Sequence, residues 1–157
     1  MSIADSYNFR CVDDCLTTSG VVGTERLEGL AAQGYELLID LLPADNAHAV
    51  ADERKRVESQ GLRYVHIPVD FAEPSTAQLE AFIEAIDVAA GTLVHAHCAA
   101  NYRVSAFVAI HRVRSGRWTA DQARDHIASL WNPADYPPWA AFINEQCPVP
   151  LIGTGPS

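Results

Sequence analysis

The residues with the most chemistry lie in one stretch, Val94-His95-Ala96-His97-Cys98-Ala99-Ala100-Asn101-Tyr102-Arg103-Val104-Ser105. An apolar run ends at a cysteine, a short loop follows, and a helical pattern begins with an arginine and a hydroxyl near its start. A thiol placed where a strand hands over to a helix faces unpaired backbone N–H groups and the positive end of the helix dipole, and both favour the thiolate. The N–H groups of Ala99, Ala100, Asn101 and Tyr102 are then candidates to cradle a phosphate, with Arg103 adding a two-pronged guanidinium. Asn101 suits such a loop because asparagine tolerates left-handed backbone.

Together these groups suit in-line displacement at phosphorus. Cys98 attacks, Arg103 and the loop N–H groups stabilise the equatorial oxygens, and an acid protonates the leaving oxygen. Asp70 is the candidate acid, because it follows the apolar run Leu62–Val69 and so sits at a second strand end; Glu73, in the same loop, is the substitute. Ser105 is placed to hydrogen-bond the departing sulfur when water, activated by Asp70, completes the second step. His97 is expected to orient the loop and tune the thiol.

The elements that must position these groups follow from the apolar pattern. Thr24 is expected to cap a helix over Glu25–Gln33 ended by Gly34, and Tyr35–Leu42 reads as a strand buried on both sides. A polar helix from Asp45 or Asn46 to Gln60 follows, with Glu53, Arg54, Lys55, Arg56 and Glu58 on a solvated face. Leu62–Val69 is the next strand, Ala77–Ala90 a helix capped by Thr76, and Thr92–Ala96 the strand leading to Cys98. Helices are expected over Arg103–Ser115, from the Thr119–Gln122 capping box to Leu130, and over Trp139–Gln146. Residues 1–10 and 150–157 read as loose termini, the former with an edge strand as the alternative. This alternation gives an α/β fold, a central mostly parallel sheet with helices on both faces, formed by a single domain over residues 1–157. In such sheets ligands bind beyond the carboxyl ends of the strands, which brings Asp70 and Cys98 to one edge.

Composition limits the partners. The net charge is −9, with 48% hydrophobic and 20% charged residues. That balance suits a globular protein and argues against nucleic acid and anionic membrane as partners. No basic start followed by an apolar run marks a leader, so a cytoplasmic protein is expected. Cys11, Cys15, Cys98 and Cys147 do not form a disulfide or zinc pattern. His95-x-His97 with Cys98 or His111 is the remaining metal candidate; it lacks a completing ligand spacing, and no metal or cofactor is expected. Trp131, Tyr136 and Trp139 flank a Pro-rich turn and read as scaffolding.

The chain resembles the cysteine-dependent protein tyrosine and dual-specificity phosphatases, in particular their bacterial members. The resemblance rests on Thr18-Ser19-Gly20, Gly34-Tyr35 leading into Leu38–Leu42, His66-Ile67-Pro68-Val69-Asp70, and His97-Cys98 with Arg103 and Ser105. It implies a metal-independent phosphocysteine mechanism on a phosphorylated protein or small molecule, phosphotyrosine among them, with Cys98 as nucleophile, Arg103 binding phosphate and Asp70 as acid. The usual signature has five residues between cysteine and arginine, whereas Cys98 and Arg103 enclose four. One residue turns a helical side chain by about 100°. Either the loop is shortened and Arg103 still points inward, the arrangement favoured here, or Arg103 faces elsewhere and the site is weak. The alternatives are a rhodanese-like sulfurtransferase, which shares the shorter spacing, and a phosphate- or phosphoprotein-binding module without turnover.

Overall fold

The computed structural model describes residues 2–153. Its centre is a five-stranded sheet in the order β1 (Arg10–Asp13), β2 (Leu16–Ser19), β5 (Leu93–His97), β3 (Tyr35–Asp40), β4 (Arg63–His66). β1 pairs antiparallel with β2, and every other neighbouring pair is parallel. β5 is therefore flanked on both sides by parallel strands. The ladder continues past the formal strand ends through Leu41 N to His97 O (2.9 Å) and Val69 N to Leu41 O (3.0 Å), so Cys98 and Asp70 leave the same edge.

Alternation along β3 explains the layers. Leu37, Ile39 and, beyond the strand, Leu41 point into a core with α3 (Thr76–Val88), α4 (Tyr102–Arg114), α5 (Ala120–Ala128) and α6 (Pro137–Gln146). Leu38 points the other way, to α1 (Thr24–Glu28) and α2 (Glu53–Glu58), and Tyr35 joins it because the pairing is irregular between Tyr35 and Leu37. Each fully buried aliphatic or aromatic side chain contributes about 1.5–3 kcal/mol. α4 is buried continuously from Arg103 through Arg112, which makes it a core helix rather than an amphipathic one.

Several elements differ from the pattern expected of the sequence. Gly29 interrupts the first helix, so α1 stops at Glu28 and Ala31–Gln33 forms a separate 3₁₀ turn. The second helix begins only at Glu53. An Asx turn at Asn46, whose Oδ1 accepts from His48 N at 2.9 Å, and a left-handed Asp52 (φ 57°) hold residues 43–52 in an irregular loop. Ser75 rather than Thr76 caps α3, its hydroxyl accepting from Gln78 N.

The first residues are anchored rather than loose: Ile3–Asp5 form a 3₁₀ turn, Ile3 is buried, and Arg10–Asp13 supply the edge strand. Near the other end Leu151 is buried and the N–H groups of Leu151 and Ile152 both donate to Asn144 Oδ1, while 154–157 lie outside the described residues. Among the described residues no helix is long and apolar enough to cross a membrane.

Candidate active site

The loop after β5 is held from behind. Val21 N donates to Ala99 O (3.0 Å) and Asn8 Nδ2 to Ala100 O (3.0 Å). Among the described residues no peptide is cis, and across a trans peptide the C=O and the next N–H point in opposite directions. The anchored carbonyls therefore turn the N–H groups of Ala100 and Asn101 to the other side of the loop. Among the described residues the N–H groups of Ala99 through Val104 donate to no protein acceptor. Such a row at a helix start is an anion cradle.

Two residues permit the tight path. A Cβ on Gly20 would lie 2.4 Å from Ala99 O, so only glycine lets the β2 end approach the loop this closely. Asn101 is left-handed (φ 67°) immediately before α4, and its Nδ2 donates to Asn8 O (2.9 Å) and Thr18 Oγ1 (3.0 Å).

Arg103 is the second residue of α4 and lines a cleft of about 690 Å³ together with Asp70. The side chain is almost wholly buried, and the guanidinium carbon stands 5.3 Å from the Phe71 ring centroid. Among the described residues no carboxylate pairs with it, and Nε has no hydrogen-bond partner. The shortened interval thus leaves Arg103 in the cleft. A buried, unpaired guanidinium is costly unless an anion completes it.

Asp70 is exposed and begins a turn, its Oδ1 accepting from Ala72 N at 2.9 Å. It lines the cleft with Arg103; Glu73 is exposed and outside that lining. Trp139 Nε1 donates to Phe71 O (2.6 Å), and the Phe71 ring meets Tyr136 edge-on at 5.0 Å, so the C-terminal aromatics fix the Asp70 loop. Ser105 Oγ donates to Tyr102 O (2.8 Å) and accepts from Trp131 Nε1 (3.0 Å), so its proton is directed to the loop rather than to sulfur in this arrangement. Trp131 also stacks on Tyr102 at 4.8 Å. Cys98 itself is fully buried and outside the cleft lining, its N–H donating to Ser19 O.

His97 anchors a buried polar cluster. Nε2 lies 2.6 Å from Glu53 Oε2 and 3.5 Å from Asp40 Oδ1, and Nδ1 faces Cys98 O at 3.4 Å. Burial alone would lower the imidazole, but the charges of Glu53, Asp40 and Cys98 and the hydrogen bond to Glu53 outweigh it and raise it to about 9. Burial in turn pushes the Glu53 carboxyl up, against the pull of His97. His97 is therefore held as the imidazolium at neutral pH.

Glu53 is thus buried, not part of a solvated face. Val57 is buried one turn further on, and that i, i+4 relation is the signal that assigns Glu53 to the inner side. Nothing in the apolar run Tyr35–Leu42 singles out Asp40; Asp45, expected only as a helix cap, and Asp135 also line the cleft.

Asp40, Glu53 and His97 have donor atoms within 4.8 Å of one another, the one set among the described residues with that geometry. Each is already engaged, Asp40 accepting from Leu42 N (2.9 Å) and Tyr64 Oη (2.6 Å), so a cation would have to displace these bonds. His95 faces Thr17 Oγ1 and Ser19 Oγ, both at 2.8 Å, and burial plus the nearby His97 charge keep it neutral. His111 lies on α4 against Asp87, apart from the loop.

The model of a family described as "DSP-PTPase phosphatase fused to NAD+ Kinase" matches residues 11–132. The chain belongs to that family. This DSP-PTPase member is a cysteine-dependent, tyrosine-phosphatase-like enzyme. It is similar to a DUF442 protein from Shewanella putrefaciens CN-32 described as a phosphatase, at 32% identity and a TM-score of 0.84, over 92% of this chain and 93% of that one.

The same fold recurs in TpbA of P. aeruginosa, solved with pTyr (14% identity, TM-score 0.70, 92% and 85% covered). It recurs again in the core catalytic domain of the PP-IP phosphatase SIW14 of S. cerevisiae (14%, 0.70, 92% and 85%). No curated protein sequence matches the chain.

Proposed function

We propose that the DSP-PTPase member hydrolyses a phosphate monoester at this loop through a phosphocysteine, without a metal. The observation that carries the reading is the buried, unpaired Arg103 guanidinium lining a cleft with Asp70, next to a row of undonated loop N–H groups. In the first step the Cys98 sulfur forms an S–P bond as the P–O bond to the leaving group breaks, and Asp70 gives its proton to the leaving oxygen. In the second step water attacks phosphorus, Asp70 takes the water's proton, and the S–P bond breaks to return thiolate and inorganic phosphate. The loop N–H groups and Arg103 hold the equatorial oxygens throughout.

The charged His97 beside Cys98 favours the anionic sulfur, and Ser105 assists its departure once its hydroxyl turns from Tyr102 O. All four cysteines are free, which suits the reducing cytoplasm that a thiolate nucleophile needs. The substrate is a phosphorylated protein or a small phosphate ester.

The test is hydrolysis of para-nitrophenyl phosphate with EDTA present. Wild type turns over and Cys98→Ser falls to background; activity that survives the substitution, or that EDTA abolishes, overturns the mechanism. With phenyl phosphate, whose leaving group needs a proton, Asp70→Asn loses about 10²–10⁴-fold, and with the better nitrophenolate leaving group much less. Equal losses on both remove Asp70 from the acid role. The full burial of Cys98 favours a second reading, a phosphate-binding module, which calorimetry would reveal as phosphate binding with no turnover.

A further inference from the structure

The charge lining the cleft is unequal. Among the residues that form it Arg103 is the one base, whereas Asp45, Asp70 and Asp135 are three acids. Asp45 comes from the loop after β3 and Asp135 from the 3₁₀ turn Pro133–Asp135 before α6. Both are exposed, and among the described residues neither makes an ion pair or a side-chain hydrogen bond. Apart from Asn46 the rest of the wall is largely apolar, with Phe71, Trp139 and Tyr136, the last 40% exposed.

We propose that this cleft selects phosphate monoesters whose leaving group carries no second anion, and favours those that carry a cation beside an aromatic or apolar portion. The inference rests on the phosphatase reading of the loop. A phosphate dianion engages Arg103 and the loop N–H groups, and Asp70 is protonated when it acts as the acid. A second phosphate or carboxylate on the substrate then meets Asp45 and Asp135 with no further base in the wall to receive it. An ammonium or guanidinium group meets two carboxylates and the face of Tyr136, which attracts cations. A cation is drawn to the two carboxylates and an anion is repelled by them, so the discrimination expected is on the order of tenfold at low salt. The net charge of −9 acts in the same direction at longer range.

The experiment compares kcat/KM at low salt for two matched pairs: 4-(aminomethyl)phenyl against 4-(carboxymethyl)phenyl phosphate, and a phosphotyrosyl peptide flanked by arginine against one flanked by glutamate. The cationic member is expected to lead by about tenfold, with the lead shrinking toward unity at high salt and in D45N/D135N. A preference in either pair supports the charge rule, and the pair with the higher kcat/KM distinguishes a protein source from a small molecule. Affinities of the same four probes for Cys98→Ser report the preference without turnover. Loss of turnover with the preference intact therefore counts against the phosphatase reading alone.

Equal kcat/KM and equal affinity within both pairs overturn the inference, as does a lead for the anionic member or a lead unchanged in D45N/D135N. Tight competition by inositol hexakisphosphate overturns it as well. If the double variant does not fold, the salt dependence of the wild-type preference decides.

Discussion

Replacing Glu53 by glutamine removes one charge from a pair that the fold buries beside Cys98. The His97 ring is buried, and its two nitrogens face acceptors, Glu53 Oε2 at 2.6 Å and Cys98 O at 3.4 Å, which is the pattern of an imidazolium. Its proton is released only at about pH 9. From the ordinary value of about 6.5, at roughly 1.36 kcal/mol per pH unit, this is worth about 3 kcal/mol of folding stability.

Because the folded value is raised, that contribution is fully present below about pH 6.5 and disappears as pH rises through about 9. Glutamine keeps the shape and an accepting oxygen but not the charge, and disrupting such a buried pair costs about 3–5 kcal/mol when one partner is removed outright. Urea unfolding of wild type and Glu53→Gln at pH 6.5 and pH 9.5 should show the variant weaker by about 2–3 kcal/mol at the lower pH, with the gap largely closed at the higher. A gap of the same size at both values assigns the loss to packing and refutes the charge argument; so does the absence of any gap at pH 6.5.

Substitutions at three further positions probe the loop. Gly20→Ala places a methyl 2.4 Å from Ala99 O; the loop must shift, and phosphate affinity measured by competition with para-nitrophenyl phosphate should fall at least tenfold while the chain stays folded by circular dichroism. Asn101→Ala loses two hydrogen bonds and keeps a left-handed backbone, so a drop of about 2–3 kcal/mol in urea is expected. Asn101→Gly should lose about 1 kcal/mol less, and a larger loss for glycine would refute the backbone argument. Arg103→Lys retains charge but not the two-pronged geometry, and a kcat/KM reduced by 10² or more is expected; near wild-type turnover would show that Arg103 does not grip the phosphate.

The strand ends were readable because an apolar run shows where a buried strand stops. The run Leu62–Val69 places Asp70 at the same sheet edge as Cys98 from the sequence alone, whereas nothing in the run Tyr35–Leu42 marks Asp40. Register followed less directly, since the central place of β5 depends on pairings between segments far apart in the chain. Glu53 was misread for a physical reason: five of the six residues in Glu53–Glu58 are charged, and only Val57 marks the inner side of the turn. The contribution of Ser105 to Trp131 was not legible either, because residues 26 apart share no periodicity. The loop at 43–52 looked helical by composition, and Asn46 and Asp52 broke it through local side-chain bonding and a left-handed backbone that propensity averages away.

The loop residues and the outer walls of the cleft come from different parts of the chain. Cys98 and Arg103 hang on the central strand and the core helix, where a change of one methylene is felt throughout the packing. Asp45 and Asp135 stand on separate exposed segments, away from the strand and helix that carry Cys98 and Arg103. Mutation can therefore revise what the cleft admits, one wall at a time, while the reaction it performs is inherited intact. In this scaffold diversification is cheap at the rim and closed off at the base, so descendants are expected to part company in substrate long before they do in mechanism.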